Sequence, residues 1–460
     1  MRKINLFSTI GICIAPGIMS GCSVAEQSDK DDAPNIIFIL ADDLGYGDLA
    51  CYGNSDILTP NIDRLAETGT RFTQAYAGSA VSSPSRSALM TGKNTGNTTI
   101  RDNFAQEGGL EGYKNENIIR RMHILPTDTT IANVLRDAGY RTCLVNKWHL
   151  DGFNQEATPL NRGFDEFYGW LVSTAHSNDP YYYPYYRFNN DSLINISENA
   201  DGQHEIHNTD ISTNEAIQFI RRNNENIFFL YLSNGSPHEP FIIDDTSWYD
   251  NKDWDINTKR YASLITHMDE AIGRIIDEID KLGLRDNTLI IFTSDNGAAI
   301  QAPLEELKSN ANLRGRKALL YEGGIRVPFI VNQPGKVNSQ TLDNLIYFPD
   351  VLPTLAAIAQ TIAPVDINGI NFFPLLKGEE MDTDDRLLYW EFPGKQYAAR
   401  KGDWKVVTVK AEDPLELYNL KDDIGETKNL AEEYPEKIDK FKREMEAMRT
   451  HSPNWPLPSE

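Results

Sequence analysis

Ser82 and Arg86 lie four residues apart in Ser82-Ser83-Pro84-Ser85-Arg86-Ser87-Ala88-Leu89-Met90-Thr91-Gly92-Lys93. That is one helical turn, so a hydroxyl and a guanidinium share one face of a helix formed there. Ser83 reads as the N-cap of that helix and Pro84 as its first residue. A helix N-terminus carries free N–H groups and partial positive charge, which suits an anion, and Ser82 then stands at the mouth of the anion site. Two further pairs carry hard oxygen: Asp42-Asp43 and Asp295-Asn296. Three carboxylates and an amide oxygen in one cleft repel one another without a cation, and oxygen donors of this kind suit Ca²⁺ or Mg²⁺. Arg86, Lys93, Lys147 and Lys317 supply local positive charge, and His149 and His238 supply groups that titrate near neutrality.

These residues need elements to converge them. Apolar runs at Asn35–Leu40, Thr142–Asn146, Ile227–Ser233, Thr288–Ser294 and Val327–Val331 read as buried strands. Helical patterns lie between them at Asn61–Thr68, Ser85–Thr91, Thr130–Ala138, Thr213–Asn223 and Tyr261–Leu282. In the last, Ile265, Met268, Ile272, Ile275, Ile276 and Ile279 recur at three- and four-residue steps. This alternation predicts an α/β fold, a large, mostly parallel sheet sandwiched by helices. Such sheets place their sites beyond the carboxyl ends of the strands. Asp42 and Asp43 follow the first strand, Lys147 and His149 the second, His238 the third, Asp295 and Asn296 the fourth.

Residues 174–210, with the run Tyr181–Tyr186, have no clear period and read as a long irregular insertion. From about residue 376 the texture changes to turns, short alternating runs at Leu387–Phe392 and Trp404–Val409, and a charged helix near Pro435–Arg449. The expected division is a catalytic α/β domain over 33–375 and a smaller C-terminal subdomain over 376–460, an antiparallel sheet plus helix. Residues 1–22 read as a lipoprotein signal peptide, with Arg2 and Lys3 at its start and Met19-Ser20-Gly21-Cys22 as a lipobox that directs lipid to Cys22. Residues 23–32 read as a flexible tether. Localisation is expected to be the periplasm or cell surface of a Gram-negative bacterium, with the membrane reached only through the lipid. Cys51 and Cys143 make no disulfide framework, and Cys143 reads as a buried thiol. A net charge of −23 argues against a nucleic-acid partner.

The string from Ser82 to Lys93 resembles the signature of the formylglycine-dependent sulfatases: Cys or Ser, any residue, Pro or Ala, Ser, Arg, then Leu-Met-Thr-Gly and a basic residue. Lys147-Trp148-His149-Leu150 matches the family's Gly-Lys-Trp-His-Leu-Gly block, with Asn146 and Asp151 replacing the two glycines. Ser236-Pro237-His238 matches its Pro-His block. Leu313–Lys317 followed by Tyr321–Pro328 matches its lysine-and-glycine block. The likeness runs from about Asn35 to Leu430 and implies an alkaline phosphatase-like fold.

What the resemblance implies is a serine-type enzyme. Ser82 becomes formylglycine through a maturation enzyme that accepts Ser. One Ca²⁺ is held by Asp42, Asp43, Asp295, Asn296 and residue 82. The hydrated aldehyde, favoured in its ionised form by the cation and Arg86, attacks sulfur. Lys147 and Lys317 hold the sulfate, His238, with Lys317, protonates the leaving alcohol, and His149 takes the proton that expels sulfate. Asp42–Asp48 and Thr99–Arg101 look most like the arylsulfatase and galactosamine-sulfatase branch, so a sulfated glycan bearing galactose or N-acetylgalactosamine sulfate is the expected substrate. His176, ahead of the tyrosine run, is a candidate sugar contact beside Lys147, His238 and Lys317. Two other readings stand against this one: a phosphomonoesterase or phosphodiesterase of the same superfamily, with two transition metals, and a non-catalytic glycan-binding lipoprotein.

Overall fold

The computed structural model describes residues 33–105, 107–114, 117–171 and 180–456. The lipobox with Cys22, the tether and His176 lie outside these residues. Asn35–Ala41 is the strand on which the rest is built. It is buried along its whole length because its two faces feed two different cores. Ile36, Phe38 and Leu40 pack in one hydrophobic cluster, and Ile37, Ile39 and Ala41 in the other. A strand buried on both faces has no polar side, which is why it reads as an unbroken apolar run.

That strand pairs in parallel with Phe228–Ser233 on one side and Thr288–Ser294 on the other. Arg141–Lys147 and Glu166–Trp170 extend the parallel core. Phe329–Asn332 runs antiparallel to Thr288–Ser294, Thr70–Phe72 runs antiparallel to it in turn, and Gln340–Leu342, parallel to Thr70–Phe72, completes that edge. The result is a ten-stranded sheet. The helix Ile256–Lys281 covers one face with the isoleucine stripe read in the sequence, and Val351–Ile358 lies in the cluster on the other.

Three expectations need correction. The Ser82 helix spans Ser82–Thr91, with Val81 rather than Ser83 at its N-cap and Pro84 in its first turn. No local side chain caps it. Instead the Ser83 N–H donates to Asn103 Oδ1 at 2.9 Å, a tertiary cap invisible to local sequence. The long helix starts five residues before Tyr261, because Asp255 accepts from the N–H groups of Asn257 and Thr258. The supposed irregular insertion contains a hairpin, Tyr186–Asn189 with Ser192–Asn195, that adds two strands to the main sheet.

The C-terminal sheet has the expected form: Leu388–Phe392, Gln396–Lys401, Trp404–Val407 and Glu416–Asn419 in antiparallel order, followed by helix Pro435–Glu446. Residues 33–460 form one compact unit, and the boundary expected after residue 375 falls inside the short helix Phe373–Leu376. A cluster containing Tyr76, Leu320, Ile325, Trp390 and Tyr418 joins the C-terminal sheet to a two-stranded pair, Ala75–Tyr76 with Ile346–Tyr347, and to the short helix Glu322–Ile325. Lys405, wholly buried, is paired with Glu322 at 3.0 Å and Glu426 at 2.9 Å. Cys51 and Cys143 are both free thiols. No helix among the described residues is long and apolar enough to cross a membrane.

Asp48 fixes the turn that follows the central strand. It accepts from the Gly45 N–H at 2.7 Å and from the Tyr261 hydroxyl, on the long helix, at 2.5 Å. Burial pushes its carboxyl up to about 7, against these hydrogen bonds. A raised folded value means stability is highest below the unfolded value and falls as pH rises toward 7. Asp48→Asn keeps an acceptor without the charge. Its melting temperature should match the parent near pH 4.5 and exceed it at pH 8, by the equivalent of about 1–3 kcal/mol; thermal melts at the two pH values measure the difference.

Candidate active site

The carboxyl ends of four adjacent parallel strands open on one side of the sheet, and the Ser82 helix points its N-terminus at them. Asp42, Asp43, Lys147, Asp295 and Asn296 are completely buried there, and Ser82, Arg86 and His149 nearly so. Lys317 and His238 keep a small exposure, 11 % and 20 % of the side chain, and so form the mouth.

Asp42 is the hub. Lys147 Nζ lies 2.7 Å from its Oδ2 and 2.9 Å from its Oδ1. Ser82 Oγ donates to Oδ1 at 3.3 Å, and Lys147 Nζ also reaches Ser82 Oγ at 3.3 Å. The Tyr181 hydroxyl donates to Oδ2 at 2.6 Å. Burial alone would raise the Asp42 carboxyl, but Lys147, His238, Arg86 and Lys317 hold it well below the usual carboxylate range. Arg86 is locked by two hydrogen bonds to Asp295 Oδ2, at 2.8 and 3.0 Å, and a further one to Ser233 Oγ. Burial and the Asp42 charge push Asp295 up to about 6, against Arg86 and Lys147.

The second carboxylate, Asp43, receives Lys317 Nζ at 2.5 Å and Asn296 Nδ2 at 2.8 Å. Its own N–H donates to Asp295 Oδ1 at 3.1 Å, which ties the two strand ends together. Lys317 Nζ lies 3.3 Å from His238 Nε2. The other ring nitrogen, Nδ1, faces the Glu239 carbonyl. A carbonyl only accepts, so Nδ1 carries the proton and Nε2 presents its lone pair to the ammonium. Burial and Lys317 push His238 down to about 4, so the ring is neutral at neutral pH.

The donor set fits a hard divalent cation. Asp42, Asp43 and His238 bring ligand atoms within 4.8 Å of one another. Asn296 Oδ1, beside them, is buried with no hydrogen-bond partner. An orphaned amide oxygen among carboxylates is what an oxygen-coordinated ion satisfies. His238 is the single imidazole in that group, a poor match for two transition metals.

The predicted site residues that the structure describes converge here, from Ser82 to Lys317, except Lys93, which lies apart and pairs with the exposed Asp366 at 2.9 Å. Four contributors carry no sequence signal of their own. Tyr181 stacks on His238, ring centroids 4.9 Å apart, and Tyr182 donates to the His238 carbonyl; the sequence placed both only within an irregular insertion. Asn103 caps the nucleophile helix. Arg121 meets His149, 2.6 Å from its Nε2.

The sulfatase family model matches residues 34–361, and the N-sulphoglucosamine sulphohydrolase C-terminal model matches residues 316–451. The chain is 30 % identical over 520 residues to the N-acetylgalactosamine-6-O-sulfatase of Bacteroides thetaiotaomicron, covering 95 % of this chain and 98 % of the relative. It is 33 % identical to human N-acetylgalactosamine-6-sulfatase, over 77 % of this chain and 68 % of the relative. The structure of Ps i-CgsB in complex with k-i-k-neocarrahexaose superposes with a TM-score of 0.75 at 29 % identity, covering 93 % of this chain and 94 % of that one. A structure from work on glycosaminoglycan metabolism by Bacteroides thetaiotaomicron gives 0.76 at 28 %, covering 91 % and 100 %. With the family model spanning most of the chain, and a mixed sheet gathering acid, base and Ser82 at its strand ends, this protein belongs to the sulfatase family and is a type I sulfatase, a sulfuric ester hydrolase of the alkaline phosphatase superfamily.

Proposed function

We propose that this enzyme removes sulfate from a sulfated glycan, with galactose or N-acetylgalactosamine sulfate as the favoured unit, using a residue-82 formylglycine and one Ca²⁺. The observation that carries this reading is Ser82 Oγ at the N-terminus of a ten-residue helix, within hydrogen-bonding reach of both Asp42 and Lys147. The full-length likeness to a bacterial N-acetylgalactosamine-6-O-sulfatase supports the substrate class. Asp42, Asp43, Asp295, Asn296 and residue 82 would hold the ion. When present, the ion and the formylglycine supply positive field and a hydroxyl more acidic than that of serine.

The chain's own groups do the rest. Lys147 and Lys317 can each turn from a carboxylate to the sulfate oxygens, where charge grows as the ester bond breaks. Arg86 stays on Asp295 and keeps that carboxylate ionised. The Lys317–His238 pair carries one proton between two nitrogens 3.3 Å apart and delivers it to the departing sugar oxygen. Three carboxylates face three basic side chains in the site, so they cancel, and a divalent ion leaves about two positive charges to draw in an anionic ester. Cys22 lipidation and export to the periplasm or cell surface complete the proposal, as does a maturation enzyme acting on Ser82.

Two measurements test it. Ser82→Ala should fold as the parent does and lose sulfate release by at least about 10³-fold. Peptide mass spectrometry across residues 80–93 of natively produced protein should find the aldehyde; release of phosphate but never sulfate would sink the reading. Separately, Asn296→Ala and Asp43→Asn should each lower bound calcium from about one per chain to well under half, read by elemental analysis after equilibrium dialysis. Two zincs per parent chain would instead favour the phosphatase alternative.

A further inference from the structure

Four side chains form a continuous stack that ends at His238. Arg187 lies over the ring of Trp170, 4.8 Å from the centroid. Trp170 meets Tyr181 with ring centroids 4.5 Å apart, and Tyr181 meets His238 at 4.9 Å with the two planes 19° apart. Trp170 ends the strand Glu166–Trp170, and Arg187 sits on Tyr186–Asn189, the strand paired antiparallel to it. The hairpin found inside the irregular insertion therefore carries one end of the stack. Arg187 is itself fixed there, donating to the Tyr186 carbonyl at 2.7 Å and to Asn208 Oδ1 at 2.8 Å.

The hydroxyl of the same tyrosine reaches Asp42 Oδ2 at 2.6 Å. An ionised carboxylate only accepts, so the phenol donates, in a charge-assisted bond. Tyr181 thus touches both the carboxylate proposed to hold the ion and the ring proposed to serve the leaving oxygen, each through different atoms. Oδ2 of Asp42 takes Tyr181 and Lys147, while Oδ1 takes Lys147 and the more distant Ser82 and Arg86. Lys147 bonds both oxygens, and in the proposed reaction it turns away to the sulfate. Tyr181 is then the donor left on Oδ2, with Oδ1 facing residue 82. His238 keeps 20 % of its side chain exposed, so burial alone does not hold it. Its ring is held by the Glu239 carbonyl at Nδ1 and by the face of Tyr181, and its own carbonyl accepts from the adjacent Tyr182 at 2.6 Å.

We infer that Tyr181 is a positioning residue with two separable duties: its hydroxyl fixes the Asp42 carboxylate for the ion, and its ring face fixes the His238 imidazole in the orientation that keeps Nε2 toward Lys317. A hydrogen-bond partner of a metal-holding carboxylate sets how far that ligand must reorganise on binding, and its loss weakens metal binding by about 10–100-fold. A stacked ring face makes no such bond, so it bears on the imidazole and not on the ion. The ion and the leaving oxygen rest on the proposed sulfatase reaction; the contacts of Tyr181 do not.

Two variants separate the duties. Tyr181→Phe keeps the ring and removes only the hydroxyl; Tyr181→Leu removes both. In the full chain with unmodified Ser82, titration with calcium chloride should give Tyr181→Phe a dissociation constant about tenfold or more above the parent. ¹⁵N-histidine spectra are recorded at pH 7 without calcium, with His238 assigned by its loss in His238→Gln. The parent and Tyr181→Phe should both show a protonated Nδ1 and a bare Nε2, and Tyr181→Leu a mixture of the two tautomers. In the matured enzyme at saturating calcium, Tyr181→Leu should lower kcat on the order of 10²-fold with KM within about twofold, and Tyr181→Phe should recover most of that loss. Parent-like calcium affinity in Tyr181→Phe, or a parent-like His238 tautomer in Tyr181→Leu, would overturn the inference. A parent chain that takes up no calcium would count against the proposed function instead, and the spectra, which need no ion, still decide the role of Tyr181. Should Tyr181→Leu not fold, the Tyr181→Phe titration decides.

Discussion

The Asp42 carboxylate, buried completely at the end of a central strand, is the constraint around which the site is arranged. A charge removed from water costs several kcal/mol unless the surrounding groups replace the lost hydration. Here an ammonium, a phenol and a serine hydroxyl contact it directly, and a guanidinium stands 3.5 Å away. They come from three parts of the chain, with Ser82 and Arg86 on one helix and Lys147 and Tyr181 each from elsewhere. Lys147 is itself buried, so losing the carboxylate would strand its ammonium, while Arg86 would keep Asp295. Folding and assembly of the site are therefore one event.

The backbone around that carboxylate is strained, and the same contacts hold the strain. Asp43, Asn146 and His149 all adopt left-handed conformations, with φ of +67°, +82° and +63°. Such geometry in residues other than glycine costs of order 1–3 kcal/mol. Asn146 stands where the family block has glycine, and asparagine is the side chain that tolerates this region best. The neighbouring strand has adapted to it: a Cβ at Gly169 would sit 2.0 Å from the Asn146 carbonyl oxygen, so only glycine allows the approach. The strained turns aim Asp43, Lys147 and His149 into one small volume, which relaxed strand ends would not do.

The site residues were legible where they sat at the end of an apolar run, because burial on both faces removes the ambiguity of alternation. Asp42, Lys147, His238 and Asp295 each follow such a strand. Lys317 sits on a loop with no such marker and was found only through its resemblance to a known block. Arg121 and Asn103 were not found at all, since nothing local distinguishes a hairpin arginine that meets an imidazole from one that meets water. The start of the Ser82 helix was misplaced for the same reason: its cap comes from Asn103, twenty residues away in sequence. The hairpin at Tyr186–Asn195 was missed because its exposed edge strands, with side chains such as Leu193 turned to solvent, lack the clean alternation of a half-buried sheet.

The chain's charge of −23 sets a problem that the site solves by depth. An acidic surface repels an anionic polymer, but at physiological ionic strength that repulsion fades over about 8 Å. Inside the cleft the screening is weaker and the local balance differs, since three carboxylates already meet three basic side chains before an ion is counted. Charge added there is felt at close range in a water-poor setting, where it is worth several times more than at the surface. The surface field and the pocket field can thus have opposite signs, and a sulfate ester meets the second only after it has passed Lys317 and His238 at the mouth.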